Sequence, residues 1–166
     1  NGKEVARATK PTESNFPEAV PMLLTTQWGQ EAPFNNLCPI ATDGSGRCLT
    51  GCAATSTAQV FYYHKGPKNG MGSRTIYYPY AVAMLMRDLG VAADMDYGST
   101  AQGGSGTLHE TLARGLQRYY GLTDVKYLER EDYTEQGWMN IIYDQLSRNL
   151  PIVYGGFTKQ REGHSF

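Results

Sequence analysis

Three cysteines and three histidines are the side chains of this 166-residue chain that could supply a covalent nucleophile and its base. Cys52 stands in the run CLTGCAATSTAQVFYYH (48–64), which reads as a tight turn at Thr50–Gly51 feeding a helix of about three to four turns. Cys52 falls at or near the first helical position. Backbone N–H groups are unpaired there, and the helix dipole adds partial positive charge. A thiolate, the nucleophilic form of cysteine, is stabilised in such a field. The same pattern also suits a buried structural cysteine on an Ala-rich helix. Among the possible bases, His64 lies roughly 18 Å further along the helix axis, too far to reach the sulfur. His109 falls inside a second predicted helix and reads as a solvated or packing residue. His164 follows the strand-like run PIVYGGFTKQREG, with Gly163 directly before it. A glycine there lets another backbone or a substrate approach closely. An early cysteine and a distant histidine form a pair only if the fold brings them together.

The elements that must do so follow from the pattern. Ala53, Ala54 and Ala58 allow close packing of the first helix, and Val60, Phe61 and Tyr62 give it bulk to bury. ATDGSG (41–46) is a turn-rich loop leading to it. GPKNGMGS (66–73) is a second loop, RTIYY (74–78) a short strand, and Pro79 a helix-opening residue. Residues 81, 82, 85 and 89 repeat at helical spacing, with Gly90 as the stop. Thr107 and Glu110 have capping-box spacing ahead of Leu108, Leu112, Leu116 and Tyr119, and Gly121 ends that helix. VKYLERE (125–131) alternates like a strand. Thr134 caps a helix that buries Trp138, Ile141, Ile142 and Leu146 and stops near Asn149. Pro151–Phe157 is the strand that delivers His164.

Composition narrows the function. Fifteen basic against 16 acidic residues give a net charge of −1, which attracts neither nucleic acid nor an anionic membrane. No apolar run approaches a membrane span, and no signal peptide is visible at Asn1, so an exported protein would be met here after processing. Cys38 and Cys48 could pair around a short loop, or all three cysteines could be reduced. A metal module built on Cys38, Cys48, Cys52 and His64 fits no common zinc spacing. Asp94 and Asp96 offer too few oxygens for calcium. The glycines of STAQGGSG (99–106) lack the Lys-Ser/Thr of a phosphate loop. No metal or cofactor is expected.

Several segments in order resemble the streptopain-like cysteine peptidases, a bacterial group with the papain-like fold. They are LLTTQWGQEAPFNNLCP (23–39), TGCAATSTAQVFYYHKGP (50–67), LMRDLGVAADMDYG (85–98), GGSG (103–106), an apolar pattern from Trp138, PIVYGG (151–156) and EGHSF (162–166). The resemblance implies an α+β, two-lobed fold in which the nucleophile helix packs on an antiparallel sheet carrying the histidine. It implies Cys52 as nucleophile, His164 as general base and acid, and Gln30 as an oxyanion-hole amide. Gly103, Gly104 and Ser105 would border the cleft and offer backbone to an extended peptide, with Gly163 close by. Phe157 would wall the pocket for the second residue before the scissile bond. The same resemblance implies a secreted, cell-surface or periplasmic bacterial enzyme acting on proteins or peptides and made as a zymogen inhibited by its own prosegment. Residues 1–20 then read as a linker or prosegment remnant, and 21–166 as the N-terminal and central part of the peptidase domain. Family members continue past the histidine with strands and an Asn-Trp-Gly-Trp-Gly-like segment that orients the imidazole. Here the sequence stops two residues after His164, so a second polypeptide is expected to complete the domain beyond Phe166. A peptide-binding relative without activity is the competing expectation.

Overall fold

Helix α1 (Cys52–Tyr63) begins where Gly51 turns the backbone with φ 85° and ψ 135°, a conformation that disfavours any side chain. The computed structural model describes residues 19–64, 78–159 and 163–166. The stretch before residue 19, the 66–73 loop and most of the 74–78 strand expectation lie outside the described residues; Tyr78 itself is already helical. The chain divides into two units, one of Leu24–Tyr127 with Val153–Phe166, the other of the described residues up to Leu23 with Leu128–Ile152.

In the larger unit, α1 packs against α2 (Tyr78–Ala92), and α2 against α3 (His109–Tyr120). Their shared core joins Ala54, Ala58 and Phe61 of α1 to Val82, Met86 and Leu89 of α2, and to Leu112 and Leu116 of α3. Small residues on α1 let α2 approach, and the bulk comes from α2 and α3. The helix α2 runs through Gly90 rather than stopping there. A Cβ at Gly90 would run into the Tyr97 hydroxyl, so this glycine makes room for a tyrosine whose pKa burial pushes up to about 12. The chain reverses instead at Asp94, with φ 51°, a left-handed conformation that Asp tolerates. Thr107 and Glu110 do not form a capping box. Leu108 is the N-cap of α3 and has no polar side chain to cap with, while the Thr107 hydroxyl is committed to the Ala93 carbonyl at 2.5 Å.

Strands β1 (Gly155–Phe157) and β2 (Gly163–Ser165) form an antiparallel pair in the register Gly155–Ser165, Gly156–His164 and Phe157–Gly163. Tyr154 and Phe166 extend the ladder with mutual backbone bonds of 2.8 and 2.9 Å. Strand β2 packs against α1. Pairing therefore covers only the end of the Pro151–Phe157 run.

In the smaller unit, α4 (Glu135–Ser147) starts at Thr134, whose hydroxyl accepts from the Gly137 N–H at 3.1 Å, and the chain turns at Asn149 with φ 59°. Trp138, Ile141, Ile142 and Leu146 are half-buried rather than buried. The 125–131 run is not a strand: Arg130–Asp132 is a 3-10 turn, and no neighbouring strand pairs with the preceding residues among those described. Alternation without a partner ladder does not make a strand.

Candidate active site

Helix α1, which carries Cys52, is tied down around its first turn. The Thr50 N–H donates to the Gln30 carbonyl at 3.1 Å, and the Thr50 and Thr55 hydroxyls meet at 2.7 Å. The Ser56 hydroxyl donates to the Cys52 carbonyl at 2.9 Å, bracing the helix from inside. Leu49 donates to the Gly98 carbonyl at 3.0 Å, and the buried Ser105 hydroxyl donates to the Leu49 carbonyl at 2.7 Å. Cys52 is the first residue of α1 and is partly exposed. No acidic side chain or side-chain cap occupies the first turn, so its N–H groups remain available to a ligand atom.

A cleft of about 720 Å³ opens beside this turn. Cys52, Gln30 and His164 all line it, although they come from the start of α1, an irregular segment and β2. Trp28, Phe34 and Gln59 add an aromatic and amide wall. The Trp28 ring lies 6.3 Å from Phe34 and 5.3 Å, edge-on, from Tyr62, while Gln59 accepts from the Thr26 hydroxyl at 2.8 Å. The arrangement offers a sulfur, an imidazole and an amide to one bound group.

Other expected site residues stand elsewhere. Gly103, Gly104 and Ser105 are not among the cleft-lining residues; from their loop it is Thr100 that reaches the cleft. Ser105 uses its hydroxyl to hold the loop to Leu49 and Gly98. A Cβ at Gly163 would meet the Phe157 ring at 2.7 Å, so the close approach made there is by that ring. Phe157 is 75% exposed. His64 sits at the far end of α1 as its C-cap, against Tyr63. Among the described residues no three His, Cys, Asp or Glu side chains converge to hold a metal ion. Cys38 and Cys48 are buried free thiols, and burial pushes the Cys38 pKa up to about 11, with Cys48 adding to the shift.

Three contributions are not visible in the sequence. Gln59 and Thr100 reach the cleft from positions that carry no local motif. His109 opens α3, and its Nε2 lies 2.8 Å from the Ser165 hydroxyl, directly beside His164 in the chain. Burial lowers its pKa from the ordinary imidazole value.

The chain is similar to known cysteine peptidases over most of its length. Streptopain of Streptococcus pyogenes serotype M28 is 27% identical over 187 residues, covering 84% of this chain and 46% of that protein. The thiol protease/hemagglutinin PrtT of Porphyromonas gingivalis is 25% identical over 202 residues, covering 96% of this chain and 23% of that protein. The structure of active wild-type interpain A cysteine protease from Prevotella intermedia superposes with a TM-score of 0.80 at 33% identity, over 95% of this chain and 78% of that one. This chain thus spans about half the length of the streptopains it matches. The α+β arrangement, with Cys52 on a helix against an antiparallel sheet, is the papain-like one. The peptidase C10 family model matches residues 28–80 and 75–166, and the chain belongs to that family.

Proposed function

We propose that the protein is a cysteine endopeptidase that cleaves peptide bonds through an acyl-enzyme. The observation that carries this reading is the convergence of Cys52, His164 and Gln30 on one cleft from three separate segments. The Cys52 thiolate, paired with the His164 imidazolium, attacks the scissile carbonyl carbon. A C–S bond forms and the carbonyl electrons move to oxygen. The Gln30 side-chain amide and the Cys52 backbone N–H donate to that oxyanion, and one such donor contributes about 3 kcal/mol to the transition state. His164 passes its proton to the leaving amine, then draws a proton from the water that releases the acyl group.

The finer features belong to the same proposal. The loop holding Gly103, Gly104 and Ser105, which reaches the cleft at Thr100, borders an extended substrate, Gly163 adjoins it, and Phe157 favours a bulky apolar residue two positions before the scissile bond. The protein is bacterial and exported, made with an inhibitory prosegment, and its imidazole is oriented by polypeptide beyond Phe166. Full activity in a lone 18.4 kDa species would refute that last point.

The decisive experiment compares casein hydrolysis by the wild-type protein and Cys52→Ala. Turnover is expected to fall by at least about a thousandfold with folding retained, and a thiol-directed epoxide is expected to label Cys52 alone. Unchanged hydrolysis by the variant would end the peptidase reading. Labelling without turnover would favour the peptide-binding relative.

A further inference from the structure

His109 has no part in the chemistry proposed above, yet it is where the histidine-bearing hairpin meets helix α3. Its Nε2 is 2.8 Å from the Ser165 hydroxyl. Its ring also lies so close to Gly155 that a Cβ there would run into the imidazole. Gly155 and Ser165 are cross-strand partners, and the neighbouring pair is Gly156 with His164. One imidazole therefore touches both members of the pair next to the one carrying His164. Ser165 is buried, and a buried hydroxyl needs a partner. His109 is the one the fold provides.

Among the described residues the hairpin is short. Its strands are three residues each, and Phe157 and Gly163 at the end joined by the connection are exposed. A two-stranded hairpin this short is marginal by itself. Side chains alternate along a strand, so a slip of one residue would exchange the faces of His164 and Ser165. The imidazole would leave the cleft while the strand stayed paired.

We propose that His109 is a positioning residue: by bonding Ser165 and packing on Gly155, it locks the β1–β2 register that presents His164 to the cleft shared with Cys52. The catalytic consequence rests on the peptidase reading, whereas the lock itself does not.

The test uses the full-length protein with His109→Ala, Ser165→Ala, the double variant and His109→Gln. Both single Ala variants are expected to lower kcat about tenfold while KM stays within about twofold. The double variant is expected to be no worse than the poorer single one, as for two halves of one contact. His109→Gln, whose side-chain nitrogen can reach Ser165, is expected to recover part of kcat. Exchange of the Tyr154 and Phe166 amides, which close the ladder, is expected to quicken about tenfold in the Ala variants with the α1 amides unchanged. Ser165→Ala removes a single oxygen and decides the matter if His109→Ala does not fold. Wild-type kcat or unchanged hairpin exchange in Ser165→Ala would overturn the proposal. If the wild type shows no Cys52-dependent hydrolysis, the peptidase reading fails and the exchange arm alone decides the lock.

Discussion

The two walls of the cleft are built to different standards. The Cys52 wall is the end of a buried helix, with Ala53, Ala54, Thr55, Ser56 and Thr57 all enclosed and hydrogen bonds crossing to Gln30, Gly98 and Ser105. The His164 wall is a hairpin with three register pairs, on which His164 itself is exposed and only Ser165 is buried. Contacts of the first kind hold an atom in place whatever binds; contacts of the second kind leave an element able to open locally at low free energy. In the proposed couple the sulfur is therefore the fixed member and the imidazole the adjustable one. Control over activity should act through the hairpin, because small changes there move the base without unfolding the domain.

The sharpest way to break this contrast is to damage each wall and compare. Met86, with no exposed surface, lies under α1 in the common core, so Met86→Ala should cost about 2–5 kcal/mol and lower the thermal midpoint of the whole unit. Gly51→Ala should cost about 1–3 kcal/mol, since an Ala there combines an unfavourable backbone with a Cβ 2.6 Å from the Met95 side chain. Phe157→Ala on the exposed hairpin should change stability by less than about 0.5 kcal/mol while altering the preferred peptide. Chemical denaturation of the three variants measures the stabilities, and cleavage of a peptide panel by Phe157→Ala measures the preference. A hairpin variant as destabilising as Met86→Ala would remove the distinction.

The same asymmetry explains what could be read in the sequence. The α1 wall was legible because its signals are local: a Gly-Cys step, then small residues and bulky ones at helical spacing, and the helix begins at Cys52 as expected. Thr134 as the cap of α4 was legible for the same reason, its acceptor lying three residues from its donor. The errors share a different cause. Gly90 looked like a helix stop because the sequence does not show that Tyr97 folds back over it. Thr107 resembles a cap in sequence because its competing acceptor, Ala93, is contributed by the turn after α2, 14 positions earlier. The alternation of 125–131 carried no information about a missing partner strand. In sequence His109 reads only as a solvated or packing residue, because its contact with Ser165 spans 56 positions. The grouping of Gln30, Cys52 and His164 came from resemblance, since neither spacing nor periodicity brings them together.

The cysteines extend the comparison to reactivity. Cys38 and Cys48 are buried, and the Cys38 thiol, pushed up to about 11, holds its proton at neutral pH. Cys52 is partly exposed at a helix start. Brief treatment of the native protein with iodoacetamide should therefore modify Cys52 first, and the other two only after unfolding. Peptide mass mapping after a time course checks this. Early modification of Cys38 would mean that the segment before α1 opens as readily as the hairpin.

The smallest expected effect is a pH dependence of the hairpin wall. Burial lowers the pKa of His109 in the folded protein, whereas in the unfolded chain it returns to about 6.5. As pH falls below that value the unfolded state binds the proton more readily, so stability declines with acidification. The contribution is fully present above about pH 6.5 and is lost as pH drops through the folded value. His109→Gln cannot titrate, and every other group is common to both proteins. The difference in urea midpoint between wild type and His109→Gln should therefore shift against the wild type between pH 7.5 and pH 5. Because the ring is only half-buried, water screens part of the effect and the shift is modest. Exchange at Tyr154 and Phe166 should quicken with acidification in the wild type more than in the variant. Parallel pH profiles for the two proteins would mean that the imidazole is as well solvated as a surface histidine, and His109 would then not serve as a half-buried tether between the hairpin and α3.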